Sequence, residues 1–295
     1  MKAKSLYILA IILFLLIALV GFQLYFPKFL KTPSPYHEKV KSIDPKSVTI
    51  AEITSKEKSL TIKKGENIWK INGKKGNEVK IEELINNLVT ATEPQVIAQT
   101  DKKHQEFELT DDLAKKISLD GKLVFLIGKS TMDGTYVRFE KTDQVYLVKN
   151  LSSQSYSLNP DDWYDKTIVK IEEKNINKIL FVKEKERFTL FKEDNKWKLE
   201  DGKKEIDTNK LSPILTSLSL LQAQKLADKE TVSQYPISAV VTVAIEHLAG
   251  KETLSFFQGK NDYLLKRDSD GEHFIILEYQ AKNFLIPASD LVKKD

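Results

Sequence analysis

The segment IGKST, which covers Ile127 to Thr131, contains the residue types that close a phosphate-binding loop. Such a loop also needs a glycine about five residues before its second glycine, so that successive backbone N–H groups can wrap a phosphate. Leu123 occupies that position, and the residues after the segment, Met132-Asp133-Gly134, are typical of a turn and not of a helix N-terminus. The segment is therefore predicted to be a turn at the end of a strand, without nucleotide-binding chemistry.

The four histidines, His37, His104, His247 and His273, are the side chains best suited to bind a metal ion. None belongs to an HxxxH or HExxH pattern, which would place two ring nitrogens on one face of a helix. His247 and His273 each follow a glutamate, but adjacent residues of a strand point to opposite faces and make poor catalytic dyads. The histidines therefore predict neither a metal site nor a general base.

A further candidate is the acidic segment NPDDWYDK, which covers Asn159 to Lys166 and includes Asp161 and Asp162. Carboxylates this close together are suited to acid–base catalysis or to calcium binding. The segment is equally typical of a polar connector between two repeats, with Trp163 and Tyr164 packed at the junction. We favour the connector.

Composition limits the chemistry further. The chain has no cysteine and no G-x-S-x-G motif, which excludes a thiolate nucleophile, a thiolate metal site and a serine-hydrolase elbow. Charges of both signs alternate along the 295 residues, whereas a nucleic-acid-binding protein concentrates basic residues on one face. We therefore expect no catalytic, cofactor-binding or metal-binding residues, no cofactor and no nucleic acid partner. The protein is predicted not to be an enzyme.

The elements that must position any site begin with a hydrophobic run from Leu6 to Phe26, which contains 21 residues and no charge. A helix of this length spans about 31 Å, close to the thickness of a bilayer's hydrocarbon core. A cleaved signal peptide is the alternative, but its apolar region is shorter and is followed by a small-x-small site, which this run lacks. We predict a retained single-pass transmembrane anchor at residues 1–27, in contact with the lipid bilayer.

Residues 28–46 follow the predicted anchor and contain Pro33 and Pro35 with serine and lysine around them, a composition that predicts a stiff spacer. Lysines flank both ends of the hydrophobic run, and a simple positive-inside count leans against an exported domain, but long domains translocate largely regardless of charge. A short basic tail before an apolar run is nevertheless typical of an export signal. We expect the large domain to lie outside the cytoplasm, attached to the inner or plasma membrane.

Two segments of the chain show one pattern: EKSLTIKKGENIWKINGKKGNEVK from Glu57 and ERFTLFKEDNKWKLEDGKKEID from Glu186. Alternating apolar residues lie on one face of a strand, so each segment predicts an antiparallel β meander. Trp69 and Trp197 are predicted to occupy equivalent core positions. The apolar pairs are Val48 and Ile50, Leu60 and Ile62, and Trp69 and Ile71 in the first segment, and Ile179 and Phe181, Phe188 and Leu190, and Trp197 and Leu199 in the second.

An amphipathic helix and further strands follow each meander. Asp207, Thr208 or Ser212 is suited to cap the second helix, and Pro213 fits only near its N-terminus. The apolar stripes are Ile81, Leu84, Ile85 and Leu88 in the first helix, and Leu211, Ile214, Leu215, Leu218 and Leu221 in the second. LVFLIGK, TYVRF and VYLV, which start at Leu123, Thr135 and Val145, recur as LSFFQGK, DYLLK and FIIL at Leu254, Asp262 and Phe274.

The sequence therefore predicts an α+β protein: an N-terminal transmembrane helix followed by two tandem repeats of one unit. The repeats cover residues 47–158 and 178–295, and residues 159–177 connect them. Each repeat contains an antiparallel β meander, one amphipathic helix and further strands.

The order of these motifs resembles the bacterial domain of unknown function 4340 family, over roughly Val48 to Pro287. The segment FELTDDLAKKISL, from Phe107 to Leu119, departs from the Gly-Leu-x-x-Pro-like sequence expected there. The resemblance implies a membrane-anchored protein of a kind that in some members is associated with transporter-type machinery of the envelope, and it implies no catalytic residues. The matching residues are Trp69 with Ile71, Trp197 with Leu199, Leu211 to Ala223, Leu126 to Gly128, and Val145 to Val148.

Three functional hypotheses follow from the sequence. The leading one is a membrane-tethered module outside the cytoplasm that binds or scaffolds an envelope protein partner, as an accessory of an envelope or transporter complex. The second is a carrier or sensor of a small ligand that lies in a cleft between the repeats. The third is an envelope hydrolase, which needs two or three polar side chains converging in a pocket.

Overall fold

A computed structural model describes residues 12–18, 20, 34–200 and 205–293 of the chain. The contacts divide the chain into two compact units, one within residues 1–67 and 79–158 and the other within residues 68–78 and 159–295. Antiparallel sheets with a few helices make up the described residues, so the predicted α+β class is confirmed.

Nine strands form the first sheet, and their order is β4-β3-β2-β1-β6-β7-β8-β9-β5. The ladders from β2 through to β5 are antiparallel. β5 precedes β6 in the chain but lies at the far edge, beside β9. The strands are β1 (Ile50–Thr54), β2 (Ser59–Gly65), β3 (Ile68–Ile71), β4 (Lys74–Lys75), β5 (Gln95–Ala98), β6 (Lys115–Leu119), β7 (Leu123–Thr131), β8 (Gly134–Phe139) and β9 (Val145–Val148).

The second sheet has eight strands in the order β13-β12-β11-β16-β17-β18-β19-β15, and β10 and β14 form a separate pair. Read from β3 to β5 and from β13 to β15, the two sheets have the same order of elements: the meander, four later strands and a short closing strand. The strands are β10 (Thr167–Val169), β11 (Ile176–Lys183), β12 (Arg187–Glu193), β13 (Lys196–Leu199), β14 (Leu221–Gln222), β15 (Lys225–Leu226), β16 (Val241–His247), β17 (Gly250–Gln258), β18 (Asp262–Arg267) and β19 (His273–Leu277).

The same type of turn joins the second and third strands of each meander. Glu66 and Asn67 follow β2, Asp194 and Asn195 follow β12, and all four have φ between 50° and 64°. A two-residue loop with positive φ at both positions is a type I′ turn, whose twist matches that of the flanking strands. Polar residues that tolerate the left-handed conformation therefore fix both hairpins.

Most of the apolar positions predicted for the meanders are buried. β1 differs, because the strand begins at Ile50 and its buried side chains are Ala51 and Ile53. A strand has a side-chain period of two, so a shift of one residue exchanges its faces, and a short apolar run does not fix that register. The predicted positions that are buried are Val48, just before β1, and Leu60, Ile62, Trp69, Ile71, Ile179, Phe181, Phe188, Leu190 and Leu199.

The two tryptophans differ in burial. Trp69 on β3 is 2% exposed, whereas Trp197 on β13 is only partly buried against the core of the second unit. β13 is an edge strand, but β3 has a neighbour on each side. The prediction of equivalent core positions is therefore wrong for Trp197, because among the described residues only a single bridge, between Lys198 and Glu205, covers the outer side of its strand.

The predicted spacer contains a short helix, α1 (Pro35–Val40), which belongs to the first unit. The Ser34 side chain caps the helix, and Pro35 is tolerated at its first position, where the missing N–H has no helical partner anyway. Tyr36 is fully buried, its hydroxyl donates to the Leu88 carbonyl oxygen at 2.6 Å, and its ring packs among three other aromatic rings. The second half of the predicted spacer is thus folded.

One amphipathic helix follows each meander, as predicted: α2 (Glu78–Val89) and α3 (Thr208–Ser219). Asp207 caps α3 by accepting a hydrogen bond from Asn209 N at 2.9 Å. α3 ends before Leu221, which is buried at the start of β14, and Pro213 lies inside the helix beyond its first turn. Both positions differ from the prediction. Burial of the apolar stripe stabilises the helix despite the hydrogen bond that Pro213 removes.

Three short helices complete the fold of the second unit. They are α4 (Lys229–Val232), α5 (Glu278–Lys282) and α6 (Ala288–Leu291). Ala281 and Leu291 join the core of this unit, together with the stripe of α3 and the inner faces of the large sheet.

The predicted membrane anchor lies largely outside the described residues. Of the run from Leu6 to Phe26, residues 12–18 and 20 are described, and they are helical. No helix among the described residues is both long enough and apolar enough to cross a membrane. The large apolar side chains of this helical segment are between 50% and 72% exposed.

Candidate functional site

The IGKST segment lies inside strand β7. The pairing of β7 with β8 shifts between Ile127 and Ser130, so Gly128 and Lys129 form a bulge. A Cβ on Gly128 would lie 2.2 Å from the Phe107 carbonyl oxygen, which accepts a hydrogen bond from Lys129 N at 3.0 Å. Glycine is required for this approach of two backbone segments. The predicted strand-ending turn is wrong, because β7 continues through the bulge.

Beside the bulge, Ser130 joins a cluster of hydroxyl groups and a lysine. Ser130 Oγ lies 2.8 Å from Thr135 Oγ1 and 3.0 Å from Ser153 Oγ, and it accepts a hydrogen bond from Ser153 N at 2.9 Å. Lys115 Nζ donates to the Ser153 carbonyl oxygen at 2.8 Å, and burial lowers the pKa of Lys115. A serine and a lysine of lowered pKa are groups that a hydrolase uses as nucleophile and base.

The hydrogen bonds of this cluster favour a structural role. The Ser130 hydroxyl has three protein partners, and the fully buried Thr135 donates to the Leu151 carbonyl oxygen at 2.7 Å. Together they fasten the segment after β9 to β7 and β8. No sequence pattern marks the cluster, because its members are spread between positions 115 and 153 and meet only through strand pairing.

Two histidines hold backbone carbonyl groups of the first unit. His37 Nε2 lies 3.0 Å from the Ala91 carbonyl oxygen, and His104 Nε2 lies 2.9 Å from the Asp143 carbonyl oxygen. Each ring nitrogen is therefore the donor, which leaves neither Nε2 free to accept a proton or bind a metal ion.

The other two histidines lie on strands of the second unit. His247 ends β16, and its Nδ1 accepts a hydrogen bond from Ala249 N at 3.3 Å. His273 begins β19, where burial and then the nearby Lys266 and Lys74 lower its pKa. The Glu272 carboxylate raises the pKa of His273, but burial outweighs it, so this ring is not set up as a general base.

Two carboxylates of the acidic segment 159–166 form ion pairs with lysines of the second unit. The Asp161 carboxylate lies 3.2 Å from Lys166 Nζ, and the Asp165 carboxylate lies 2.8 Å from Lys75 Nζ. Burial alone would raise the pKa of Asp165, but hydrogen bonds from Lys75 and Thr167 outweigh it and lower the pKa below its ordinary value. In the part of the chain that the structure describes, no group of three His, Cys, Asp or Glu side chains could hold a metal ion.

Arg267 attaches β10, the strand that follows the acidic segment, to the eight-stranded sheet. Its guanidinium donates to both carboxylate oxygens of Asp270, at 3.0 and 2.6 Å. One of its terminal nitrogens also donates to the carbonyl oxygens of Thr167 and Ile168, at 2.9 and 2.7 Å. The bidentate pair with Asp270 orients the guanidinium, and its bonds to the two carbonyl oxygens attach β10, which among the described strands pairs only with β14.

A cavity of about 380 Å³ lies in the second unit beside α3 and α6. Asp207, Lys210, Asp290, Val292 and Lys293 line it, and four of these five side chains are charged. Sites for small organic ligands are mostly apolar with a few polar groups. The lining of this cavity carries more charged side chains than such sites usually do.

The open edge of the first sheet is strand β5. It pairs with β9 on one side, and none of the described strands pairs with its other side. Val96 and Ile97 are 38% and 42% exposed, and the strand QVIA carries no charge. The closing strand of the second sheet, β15, has two residues, and one of them is Lys225. An exposed, uncharged edge strand can pair with a strand from another chain.

The described residues define a two-unit α+β protein of antiparallel sheets, with polar clusters that hold backbone segments and one open, uncharged sheet edge. Residues 69–239, more than half of the chain, match the family described as Domain of unknown function (DUF4340), so the chain belongs to that family. The match is shorter than the Val48–Pro287 range expected from the motifs. No curated protein and no solved structure matches the chain.

Proposed function

We propose that this protein is a non-enzymatic binding module, tethered to the inner or plasma membrane through Leu6 to Phe26, with its two units outside the cytoplasm. The observation that carries the tether is the helical segment at residues 12–18, whose side chains are all exposed. Seven consecutive residues cover about two helical turns, so apolar side chains point outward in every direction. Such a helix is suited to lipid and not to a one-sided protein core.

The partner-binding surface in this proposal is the edge strand β5. A partner that contributes an extended, apolar strand would pair with its backbone, while Val96 and Ile97 would contact the partner's side chains. The bulge at Ile97 twists the edge and would select against unspecific sheet extension. The partner is an envelope protein, and the module is an accessory of an envelope or transporter complex.

We also propose that the two units arose by tandem duplication. The shared order of elements in the two sheets supports this, as do the two type I′ turns at the same place in each meander. A duplication that keeps core and turn positions preserves a shape. It makes two sheets available for contacts without requiring any conserved chemical group.

The two alternatives have less support. A small-ligand carrier needs an apolar cavity, and the lining of the cavity beside α3 is mainly charged. A hydrolase needs an accessible nucleophile, and the Ser130 hydroxyl already has three hydrogen-bond partners. Substitution of Ser130 or Lys115 by alanine tests the hydrolase directly, since loss of function at normal protein abundance would favour it.

Site-specific photo-crosslinking in intact cells tests the binding surface. A photoreactive residue at Val96 or Ile97 should capture one protein, whereas the same residue at Val79 should not. Val79 is the matched control, because it is a 76% exposed valine that lies on α2 and not on β5. Capture of the same protein with equal yield from all three positions would refute binding through β5.

A second experiment tests the tether and the orientation. Deleting residues 1–30 and restoring export with a cleavable signal should impair function, because a tether raises the effective concentration near a membrane partner. Protease added to spheroplasts should degrade both units of the unchanged protein. Survival of the units until the membrane is lysed would show that they face the cytoplasm.

A further inference from the structure

Helix α1 lies a short distance along the chain from the predicted anchor. Phe26 ends the hydrophobic run, and Ser34 caps α1, so only residues 27–33 separate the anchor from the folded chain. Even when fully extended, such a segment spans no more than about 27 Å. This is far shorter than the tether that a spacer ending at residue 46 would supply.

α1 is firmly attached to the rest of the first unit. The Tyr36 hydroxyl donates to the Leu88 carbonyl oxygen at 2.6 Å, His37 bonds to the Ala91 carbonyl oxygen at 3.0 Å, and Val40 is buried. α1 therefore does not extend the tether by unfolding at low cost. The surface around α1 must remain near the bilayer whenever the anchor is inserted.

The positive charge of the chain is concentrated at this place. Residues 28–46 carry five lysines and two acidic residues, whereas residues 47–295 carry 39 basic and 40 acidic side chains. Lys39, Lys41 and Lys46 belong to the described part of this segment, and all three are exposed. Lys41 forms an ion pair with Glu38, and Asp44 accepts a hydrogen bond from Lys46 N.

We propose that Lys39, Lys41 and Lys46 dock α1 onto the anionic headgroups of the bilayer that holds the anchor, an inference that rests on the proposed tether. Lysines within a Debye length of an anionic surface, about 8 Å at physiological salt, are attracted to it. The short tether and the buried attachments of α1 keep the ammonium groups near the bilayer, so that they can come within this distance of the headgroups. Docking orients the first unit on the membrane and does not involve the second unit.

The test uses energy transfer in proteoliposomes of the full-length chain. The protein has no cysteine, so Ser42→Cys, at an exposed and uncharged position, provides a single site for a donor dye beside the lysines without changing their charge. The acceptor is a headgroup-labelled lipid, in vesicles of phosphatidylcholine alone or with roughly one third phosphatidylglycerol. Transfer should be about twofold higher in the anionic vesicles, and raised salt should abolish the difference.

The matched variants separate local charge from total charge. Lys39→Gln/Lys41→Gln/Lys46→Gln should remove the lipid dependence, whereas Lys229→Gln/Lys251→Gln/Lys260→Gln should retain it. The second set removes the same charge from exposed positions of the second unit. A chain that floats with the vesicles but shows equal transfer in both lipids would overturn the docking and leave the tether intact. A chain that does not float would overturn both proposals.

Discussion

Replacing Trp69 by alanine should cost considerably more stability than replacing Trp197. Trp69 is 2% exposed, so the change removes roughly 150 Å² of buried apolar area, and at about 25 cal/mol per Å² this costs about 4 kcal/mol. Trp197 is only partly buried at a sheet edge, where water can fill the space that the ring leaves. Its loss should cost about 1–2 kcal/mol, without the additional cost of an internal cavity.

Urea denaturation of the full-length chain in detergent measures this difference. Far-UV circular dichroism reports on both sheets, and fluorescence of the buried Trp163 provides a second probe in each variant. The Trp69→Phe and Trp197→Phe variants serve as controls, because phenylalanine keeps most of the apolar area. The free energies of unfolding of the two alanine variants should differ by about 2 kcal/mol. Equal losses, or a larger loss at Trp197, would refute the assignment of the two residues to different depths.

Three further changes have expected outcomes. Gly128→Ala should cost about 1–3 kcal/mol in urea unfolding, because its Cβ meets the Phe107 carbonyl oxygen. Arg267→Ala should cost about 2 kcal/mol, since it leaves Asp270 and two carbonyl groups of β10 without this partner. The lowered pKa of His273 disfavours its protonation in the folded state. The contribution of this residue to the free energy of unfolding should therefore be fully present above the unfolded pKa of 6.5 and decrease as the pH falls below it.

Each of these changes has a control. Gly65→Ala places its Cβ in open space and should be nearly neutral. Arg267→Lys keeps the charge but loses the planar, bidentate geometry, so it should recover only part of the loss. His273→Gln should flatten the pH dependence, whereas His247→Gln should not. An unchanged profile in the His273→Gln variant would assign the pH dependence to other groups.

Local patterns predicted the parts of the fold that local chemistry determines. Alternation gave most of the meander strands, the helical stripe from Ile81 to Leu88 gave α2, and polar residues tolerant of positive φ gave the two hairpins. α1 was not predicted, because prolines that suggested a spacer also suit the first turn of a helix. What stabilises α1 is burial of Tyr36, and that depends on rings more than 85 residues away along the chain.

The candidate sites depended on contacts that no local pattern reveals. IGKST looks like a turn until the Phe107 carbonyl oxygen is placed beside Gly128, and the hydroxyl cluster forms only when β7, β8 and the segment after β9 come together. The position of β5 is also nonlocal, since this strand leaves the order of the chain to pair with β9. Its uncharged sequence QVIA was visible, but its place at an edge was not.

The two sheets share an order of strands but differ on the faces turned away from their cores. In the first sheet Glu52 lies between Thr61 and Ser118, and in the second sheet Leu180 lies between Thr189 and Ala244, at the corresponding place in the strand order. The core faces of both sheets are apolar, as packing requires. Under the proposed duplication, the residue types of the core are retained because the stability of the fold requires them, whereas residues on the outer faces and edges can change. A partner that discriminates between the units must contact differences that are exposed, and β5, an edge strand with no counterpart of equal length in the second sheet, is one of them.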